Sequence, residues 1–442
     1  MAMKRAVYAL SLGMVIGSAV NAPAALAAVT DEQVQQLLER IEAQDKRIAE
    51  LEKSSARAPA AAPAPAAAAG ADTKALSEQV GANTTRLEKM SWADRIRIEG
   101  DFRYRYQNDD VGSPVDDSRN RNRIRARPAL IATVSPELSV GFGLATGSDD
   151  PVSSNQTLGN AGSSKQINLD LAYFDWTGLT DTSIRGGKFK NSLETAGGSQ
   201  LQWDSDWRPE GGEITWSNGT FFAQGLGTYL ESDSDKGNSE FAYLLQAGAR
   251  GEIGAVALTG GVGYTSIDAE GKACYYNQSS FVPTADQLCQ GNQAAGVPGS
   301  LVYANDFEVY DVFAQAGIKV ADLPVTVFAE YINNSAADDY EQGYMVGAQL
   351  GSAKARGTWQ VSYYYEDLES NATLGLLTNS DFGGGGTNGA GSVFSGTYAL
   401  SDKTNVTATY FLVDRNTDNI ATINNGDEIS VDTLQLDLNF KY

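Results

Sequence analysis

Thr433-Leu-Gln-Leu-Asp-Leu-Asn-Phe-Lys-Tyr442 closes the chain in unbroken alternation. Leu434, Leu436, Leu438, Phe440 and Tyr442 hold one parity, and Thr433, Gln435, Asp437, Asn439 and Lys441 hold the other. Period-two alternation describes a strand with one apolar and one polar face. A terminal strand that ends on an aromatic fits the last strand of a bacterial outer-membrane barrel. There the apolar face meets lipid and the polar face meets a wet lumen.

The same pattern extends upstream over residues 92–442. Sixteen alternating stretches are read as strands, beginning 94–107, 120–134, 137–146 and 167–176 and ending 392–400, 404–414 and 429–442. Long connections (108–119, 147–166, 191–205, 268–305, 368–391 and 415–428) alternate with short ones (135–136, 177–181, 218–219, 320–324, 352–354 and 401–403). One rim of turns and one rim of loops marks an up-and-down meander of the outer-membrane kind. The spacing, about 22 residues per strand and connection, suits membrane-crossing strands. An even count brings both ends of the sheet to one side. The expected fold is all-β: a transmembrane antiparallel up-and-down barrel of about 16 strands, preceded by a short periplasmic α-helical coiled coil.

The remaining segments fit that plan. Lys4 and Arg5 precede an apolar run, Ala6–Val20, and Ala25-Leu26-Ala27 supplies a small-residue cleavage site, so residues 1–27 read as an export signal. Within 28–55, Val34, Leu37, Ile41, Gln44, Ile48 and Leu51 step by three and four, as in a coiled coil. Residues 56–71 are almost all Ala and Pro, a stiff spacer. Heptads resume in 72–91 at Leu76, Val80, Asn83, Leu87 and Met90. Each helical segment is too short to be stable alone. A homotrimeric barrel would bring the chains together.

Composition removes several function classes. The 442 residues contain no histidine, which excludes Ser-His-Asp and Cys-His catalysis and His-ligated zinc. No cofactor or metal site is expected, and no enzyme activity. A formal charge of −22 argues against nucleic acid as a partner. Acidic loops suit contact with outer-membrane lipid and lipopolysaccharide through divalent cations. Cys274 and Cys289 lie close together in an exported chain and read as a disulfide, worth about 3 kcal/mol in the loop-entropy treatment. Asp233-Ser-Asp235-Lys-Gly237 lacks the spacing and closing glutamate of a calcium loop and reads as an acidic turn. Gly383–Gly386 reads as a flexible loop rather than a phosphate cradle.

The chemistry concentrates in two strands. Arg95, Arg97, Arg103, Arg105, Arg119, Arg121, Arg123, Arg125 and Arg127 are nine of the 19 arginines, all odd-numbered within 33 residues. The even positions include Ile96, Ile98, Phe102, Tyr104, Tyr106, Ile124 and Leu130. An arginine facing lipid at mid-membrane costs about 2–4 kcal/mol, so the row is expected to face the lumen. A hairpin centred about residue 113 would set Glu99 near Arg127 and Asp101 near Arg125. Arg103, Arg105, Arg119, Arg121 and Arg123 would then need water, anions or an acidic segment from elsewhere. Glu194, Asp204, Asp206 and Glu210, on and after the third long connection, are the candidate acidic side of an eyelet. Lys188 and Lys190 are candidates for the basic side. Trp92, Tyr104, Tyr106, Trp176, Trp216, Trp359, Tyr363–Tyr365 and Tyr442 are expected in interfacial girdles.

Taken with the signal and the heptads, the run Arg97-Ile-Glu-Gly-Asp-Phe-Arg-Tyr-Arg-Tyr106, the run Arg121-Asn-Arg-Ile-Arg-Ala-Arg127 and the aromatic end resemble the proteobacterial "putative porin" family. The phosphate-selective porins O and P look similar in layout, although their filter lysines have no residue-by-residue match here. The resemblance implies a trimeric, water-filled channel in the outer membrane of a Gram-negative bacterium, open to passive diffusion of small hydrophilic solutes and ions. The arginine row suggests anion preference, and the heptads suggest a periplasmic N-terminal region able to touch peptidoglycan. The competing expectation is a structural tether or adhesin with a plugged barrel.

Overall fold

A computed structural model describes residues 93–112, 118–232, 240–274, 289–297, 300–418 and 428–442. The export signal, both heptad segments, the Ala/Pro spacer, Trp92 and the acidic turn at Asp233–Gly237 lie outside these residues.

Sixteen antiparallel strands close on themselves. They are β1 (Ile96–Val111), β2 (Arg119–Ser135), β3 (Leu138–Thr146), β4 (Ile167–Leu179), β5 (Thr182–Lys188), β6 (Glu210–Ser217), β7 (Phe221–Glu231) and β8 (Glu240–Ile253). β9 (Val256–Ile267), β10 (Phe307–Val320), β11 (Leu323–Asn334), β12 (Gln342–Gly351), β13 (Trp359–Leu368), β14 (Gly389–Ser401), β15 (Thr404–Arg415) and β16 (Ile429–Lys441) follow. Each strand pairs with its sequence neighbours, and β16 returns to β1 with Arg105 opposite Asp437. Closure removes the unpaired edges that an open sheet would expose.

Alternation decides the facing of each strand. On β1, Arg103, Arg105, Gln107 and Asp109 are buried inside, whereas Ile98 and Tyr104 are open on the outer face. On β16, Thr433, Gln435 and Asp437 are inside and Leu436 is outside. Phe142, Leu245, Val262, Val312, Val327 and Phe394 continue the outer apolar surface. Among the described residues no helix is long and apolar enough to cross a membrane; the strands supply the crossing surface.

The two rims differ as expected. Turns are as short as 321–322, where Ala321 and Asp322 both take positive φ, the pattern of a tight primed hairpin. At the opposite rim lie the long connections: loop 2 (147–166), loop 3 (189–209), loop 5 (268–306) and loop 7 (369–388). Loop 3 is longer than its expected 191–205. The chain leaves the wall at Phe189, whose apolar ring is fully buried, and rejoins it only at Glu210.

The principal apolar core lies inside the cylinder. Loop 3 contributes Phe189, Leu201, Trp203 and Trp207, and loop 5 contributes Ala269, Cys274, Cys289, Leu301 and Tyr303. Loop 7 contributes Ala372, Leu374, Leu376 and Leu377. They pack on inward residues of β7 to β13, including Leu226, Leu244, Ile267, Phe307, Ile332 and Leu368. Cys274 and Cys289 form the expected disulfide, with Cα atoms 5.2 Å apart.

Candidate functional site

The wall formed by β16, β1 and β2 carries the arginine row. Strand pairing sets Arg103 opposite Arg125, Arg105 opposite Arg123, and Asp101 opposite Arg127. The hairpin register therefore differs by two residues from the one expected: Asp101, not Glu99, meets Arg127. Directly opposed like charges repel, and carboxylates from three directions, with an amide from a fourth, offset this.

From the wall itself, Asp437 accepts two bonds from Arg105, at 2.7 Å from Nε and 2.8 Å from Nη2. Asp101 pairs with Arg125 at 3.1 Å and Arg127 at 2.8 Å. Asp109 pairs with Arg121 at 2.7 Å, and Arg123 donates to Gln107 at 3.1 Å. Loop 3 brings Asp206 to Arg125 (3.1 Å) and Arg127 (2.6 Å). Loop 7 brings Asp381, whose two oxygens accept from Arg105 Nη1 at 3.0 and 2.8 Å. Loop 2 adds Asn155, which accepts from Arg103 at 2.6 Å. Loop 2 is held there because β3 is shorter than β2, and Gln156 and Thr157 pair with the upper part of β2 in its place.

The other sequence candidates are dispersed. Glu194 does not face the row. It pairs with Arg250 of β8 at 2.8 Å, and its backbone exchanges bonds with the Gln246 side chain. Lys188 pairs with Glu210 at 2.6 Å, away from the arginines. Lys190 reaches Glu99 at 3.4 Å, where Arg97 also contacts Glu99. Arg95 lies in an exposed turn before β1. Arg119 sits at the exposed start of β2. Of the girdle aromatics, Tyr104, Trp216, Trp359, Tyr363 and Tyr442 are open on the outer face. Tyr364 is the exception. It shares the inward parity of Glu366 and lines a cavity beside Arg103 and Arg105.

Loop 3 crosses the lumen to reach Arg250. Ala196 packs among Phe222, Phe313, Phe328 and Met345, and the Gly197 amide donates to Gln315 at 3.0 Å. Gly197 holds φ 62° with its Cα against the Phe328 ring, a position where a side chain would clash. The loop then returns to the arginine wall at Asp204 and Asp206. There the Asp204 amide donates to Leu377 O at 2.7 Å, and Asp204 accepts from the Ser380 amide at 2.8 Å. Burial, then the neighbouring Asp206 charge, push the Asp204 carboxyl up to about 7. Burial opposes ionisation of Asp206 too, but Arg125 and Arg127 overcome it and hold that carboxyl well below the usual range.

Loop 5 holds loop 7 in place. Asn292 donates to Ser370 O and Thr373 O, each at 2.7 Å, and accepts from the Gly375 amide at 2.8 Å. The Thr387 amide donates to Gln290 O at 2.9 Å, next to Cys289.

Three cavities lie along the arginine wall: one of about 290 Å³ lined by Glu99, Asp101, Arg127, Lys190 and Arg208, and two further along. Of these two, one, about 320 Å³, lies toward the loop rim and is lined by Arg119, Arg121, Arg123, Asp109 and Asp150. The other, about 270 Å³, is lined by Arg103, Arg105, Arg125, Asp204 and Asp206. Ser380 and Asp381 line both. Among the described residues no cluster of three or more acidic or cysteine side chains could hold a metal ion.

Asp437, Asp109, Asp381 and Asn155 were not singled out in the sequence. Asp437 and Asp109 have the inward parity of their strands, and that signal could have found them. Asp381 and Asn155 depend on loop folding and carry no local signature.

No curated protein matches the chain. Among solved structures it is similar to OprB of Pseudomonas putida, at 11% identity and a TM-score of 0.51, over 81% of this chain and 97% of that one. It is also similar to the trimer form of OmpT, an outer membrane protein of Vibrio cholerae, at 13% identity and a TM-score of 0.45. That match covers 79% of this chain and all of the other. A triple mutant of Rhodopseudomonas blastica porin matches at 13% identity and a TM-score of 0.45, over 78% of this chain and all of that one. At such identities the OprB likeness speaks for the fold alone. The family model described as "Putative porin" matches residues 112–232 and 297–442, more than half of the sequence. With the closed sixteen-strand barrel and its wet, charged inner wall, this places the chain in that family of outer-membrane porins.

Proposed function

We propose that the protein is a passive outer-membrane channel for small hydrophilic solutes and ions, with anion preference set by the arginine wall. The observation that carries this reading is the row Arg103, Arg105, Arg121, Arg123 and Arg125 bordering two successive cavities inside the barrel. Rings and walls of fixed charge select ions by sign. Solutes follow this wall because the opposite side of the lumen is filled by loops 3, 5 and 7. The remaining parts of the reading come from the N-terminal sequence: an exported precursor, a homotrimer and a periplasmic heptad region in contact with peptidoglycan. Lipopolysaccharide would surround the loop rim.

Reversal potentials in a planar bilayer under a KCl gradient test the selectivity. Replacing Arg103, Arg121 and Arg123 together by Ala is expected to lower the anion-to-cation permeability ratio severalfold. An unchanged ratio removes the arginines from the mechanism.

The apolar core inside the barrel favours a second reading, a tether whose lumen is closed. Absence of any ion conductance from correctly folded protein, with retained peptidoglycan binding, would select it.

A further inference from the structure

Asp381 reaches the arginine wall on a loop, as Asp206 does on loop 3. Asp101, Asp109 and Asp437 are fixed in strands. Asp381 is carried into the lumen by loop 7 and sits where two of the cavities meet. Both of its oxygens lie within hydrogen-bond distance of the single nitrogen Arg105 Nη1, because the Nε–Nη2 fork of that guanidinium is taken by Asp437. Arg103 and Arg123 also act on it electrostatically, and the Nε group of each is buried without a hydrogen-bond partner. The site therefore has donor capacity that Asp381 does not use.

The chain is held on both sides of Asp381. Before it, residues 370–377 are pinned by Asn292 and by the apolar contacts of Leu374, Leu376 and Leu377. After it comes Gly383–Gly386, with φ of 57°, 90°, 92° and 88°, a run that only glycine adopts easily. The Asp381 amide donates to Asn379 Oδ1 at 3.0 Å, a local turn that aims the carboxylate. Phe382 packs with Val393, Phe411 and Val413, the Gly386 amide donates to Thr378 at 3.1 Å, and Arg415 donates to Gly386 O at 3.2 Å, so an exchange at this site moves the Asp381 side chain rather than the loop.

We propose that Asp381 is a tethered occupant of a carboxylate-binding site formed by Arg103, Arg105 and Arg123, and that a small organic carboxylate crossing the channel displaces it. The inference rests on the anion-preferring reading and adds the solute class and the residue that competes for the site. Without a solute, the internal carboxylate neutralises the arginines and separates the cavities. With one, the exchange swaps one carboxylate for another, so no arginine is left uncompensated during passage.

The test is block of chloride current by succinate, with inorganic phosphate as the comparison anion, in bilayers containing the full-length protein. Asp381→Asn is expected to lower the half-blocking succinate concentration about tenfold, because the competitor has lost its charge. Asp381→Glu, which keeps a tethered carboxylate, should stay near the wild-type value. An unchanged value in Asp381→Asn, or an equal fall in Asp381→Glu, overturns the proposal. Phosphate blocking Asp381→Asn at lower concentration than succinate overturns the carboxylate assignment. Should Asp381→Asn fail to reach the heat-modifiable folded form, Asn379→Ala, which loosens Asp381 without changing charge, must shift block in the same direction. No shift there also overturns it. The wild-type reversal potential separates the two readings: cation preference defeats the anion channel itself, whereas anion preference with unaltered block defeats only the role of Asp381.

Discussion

The wall of β16, β1 and β2 and the facing wall of β7 to β13 come from the same alternation, yet they are built from opposite chemistry. The first turns Arg103, Arg105, Arg123 and Arg125 inward and keeps cavities beside them. The second turns Leu226, Leu244, Phe307, Phe328 and Ile332 inward and is covered by loops. Apolar side chains inside a wet cylinder draw apolar loops onto themselves. Buried guanidiniums instead draw single carboxylates and leave the space between them to water. The difference teaches that the position of the open passage is set by which inner wall is apolar, not by the barrel alone.

The largest expected effect on this contrast comes from Arg105→Ala. It leaves Asp437 and Asp381 without their shared partner, and breaking a buried pair in this way costs about 3–5 kcal/mol. Urea titration followed by the heat-modifiable gel band measures it. A loss below about 1 kcal/mol would mean that water already compensates these charges.

Asn292→Ala acts on the covered wall. Several buried groups of loop 7 lose their partner, each worth roughly 1–3 kcal/mol. Loop 7 should leave the lumen, and single-channel conductance should rise with little change in ion preference. A rise in anion preference alone would mean that loop 7 serves the charged wall more than the apolar one.

The pH response sharpens the contrast further. Asp204 is uncharged below about pH 7 and gains a negative charge above it, beside the cavity lined by Arg103 and Arg105. Anion preference should therefore fall as pH rises through 7, by an amount on the order of 1 kcal/mol per ion or less. Reversal potentials at pH 5.5 and 8.5 check this, and Asp204→Asn should remove the pH dependence. The smallest effect is expected for Lys190→Ala. This half-exposed pair with Glu99 borders the cavity beside Arg127, where water screens it, so stability should change by less than about 0.5 kcal/mol. Unfolding titration is again the measurement.

The barrel was legible because alternation is a local signal and each strand repeats it. The facing of Arg103, Arg105 and Arg125 followed from parity alone. Their partners were harder to read. The register of β1 on β2 depends on turn geometry, and a two-residue error preserves parity while replacing Asp101 by Glu99 opposite Arg127. Asp437 stood in the most readable strand, but its role needs the pairing of the first strand with the last, 332 residues apart in sequence. Asp206 was found because it lies beside the strand that follows loop 3. Glu194 was misplaced because loop 3 crosses to Arg250 before turning back. Asp381 lies 276 residues from Arg105, and no spacing rule connects them.

The bond between Arg105 and Asp437 also works as a key for shutting the cylinder. A slip of one residue between the two terminal strands would reverse which face meets lipid. A slip of two would keep the faces but set Arg105 against Gln435 with Asp437 against Arg103, or Arg105 against Asn439 with Asp437 against Gln107. Only the observed alignment sets Asp437 directly opposite Arg105, so this pair marks the register at which the first and last strands meet.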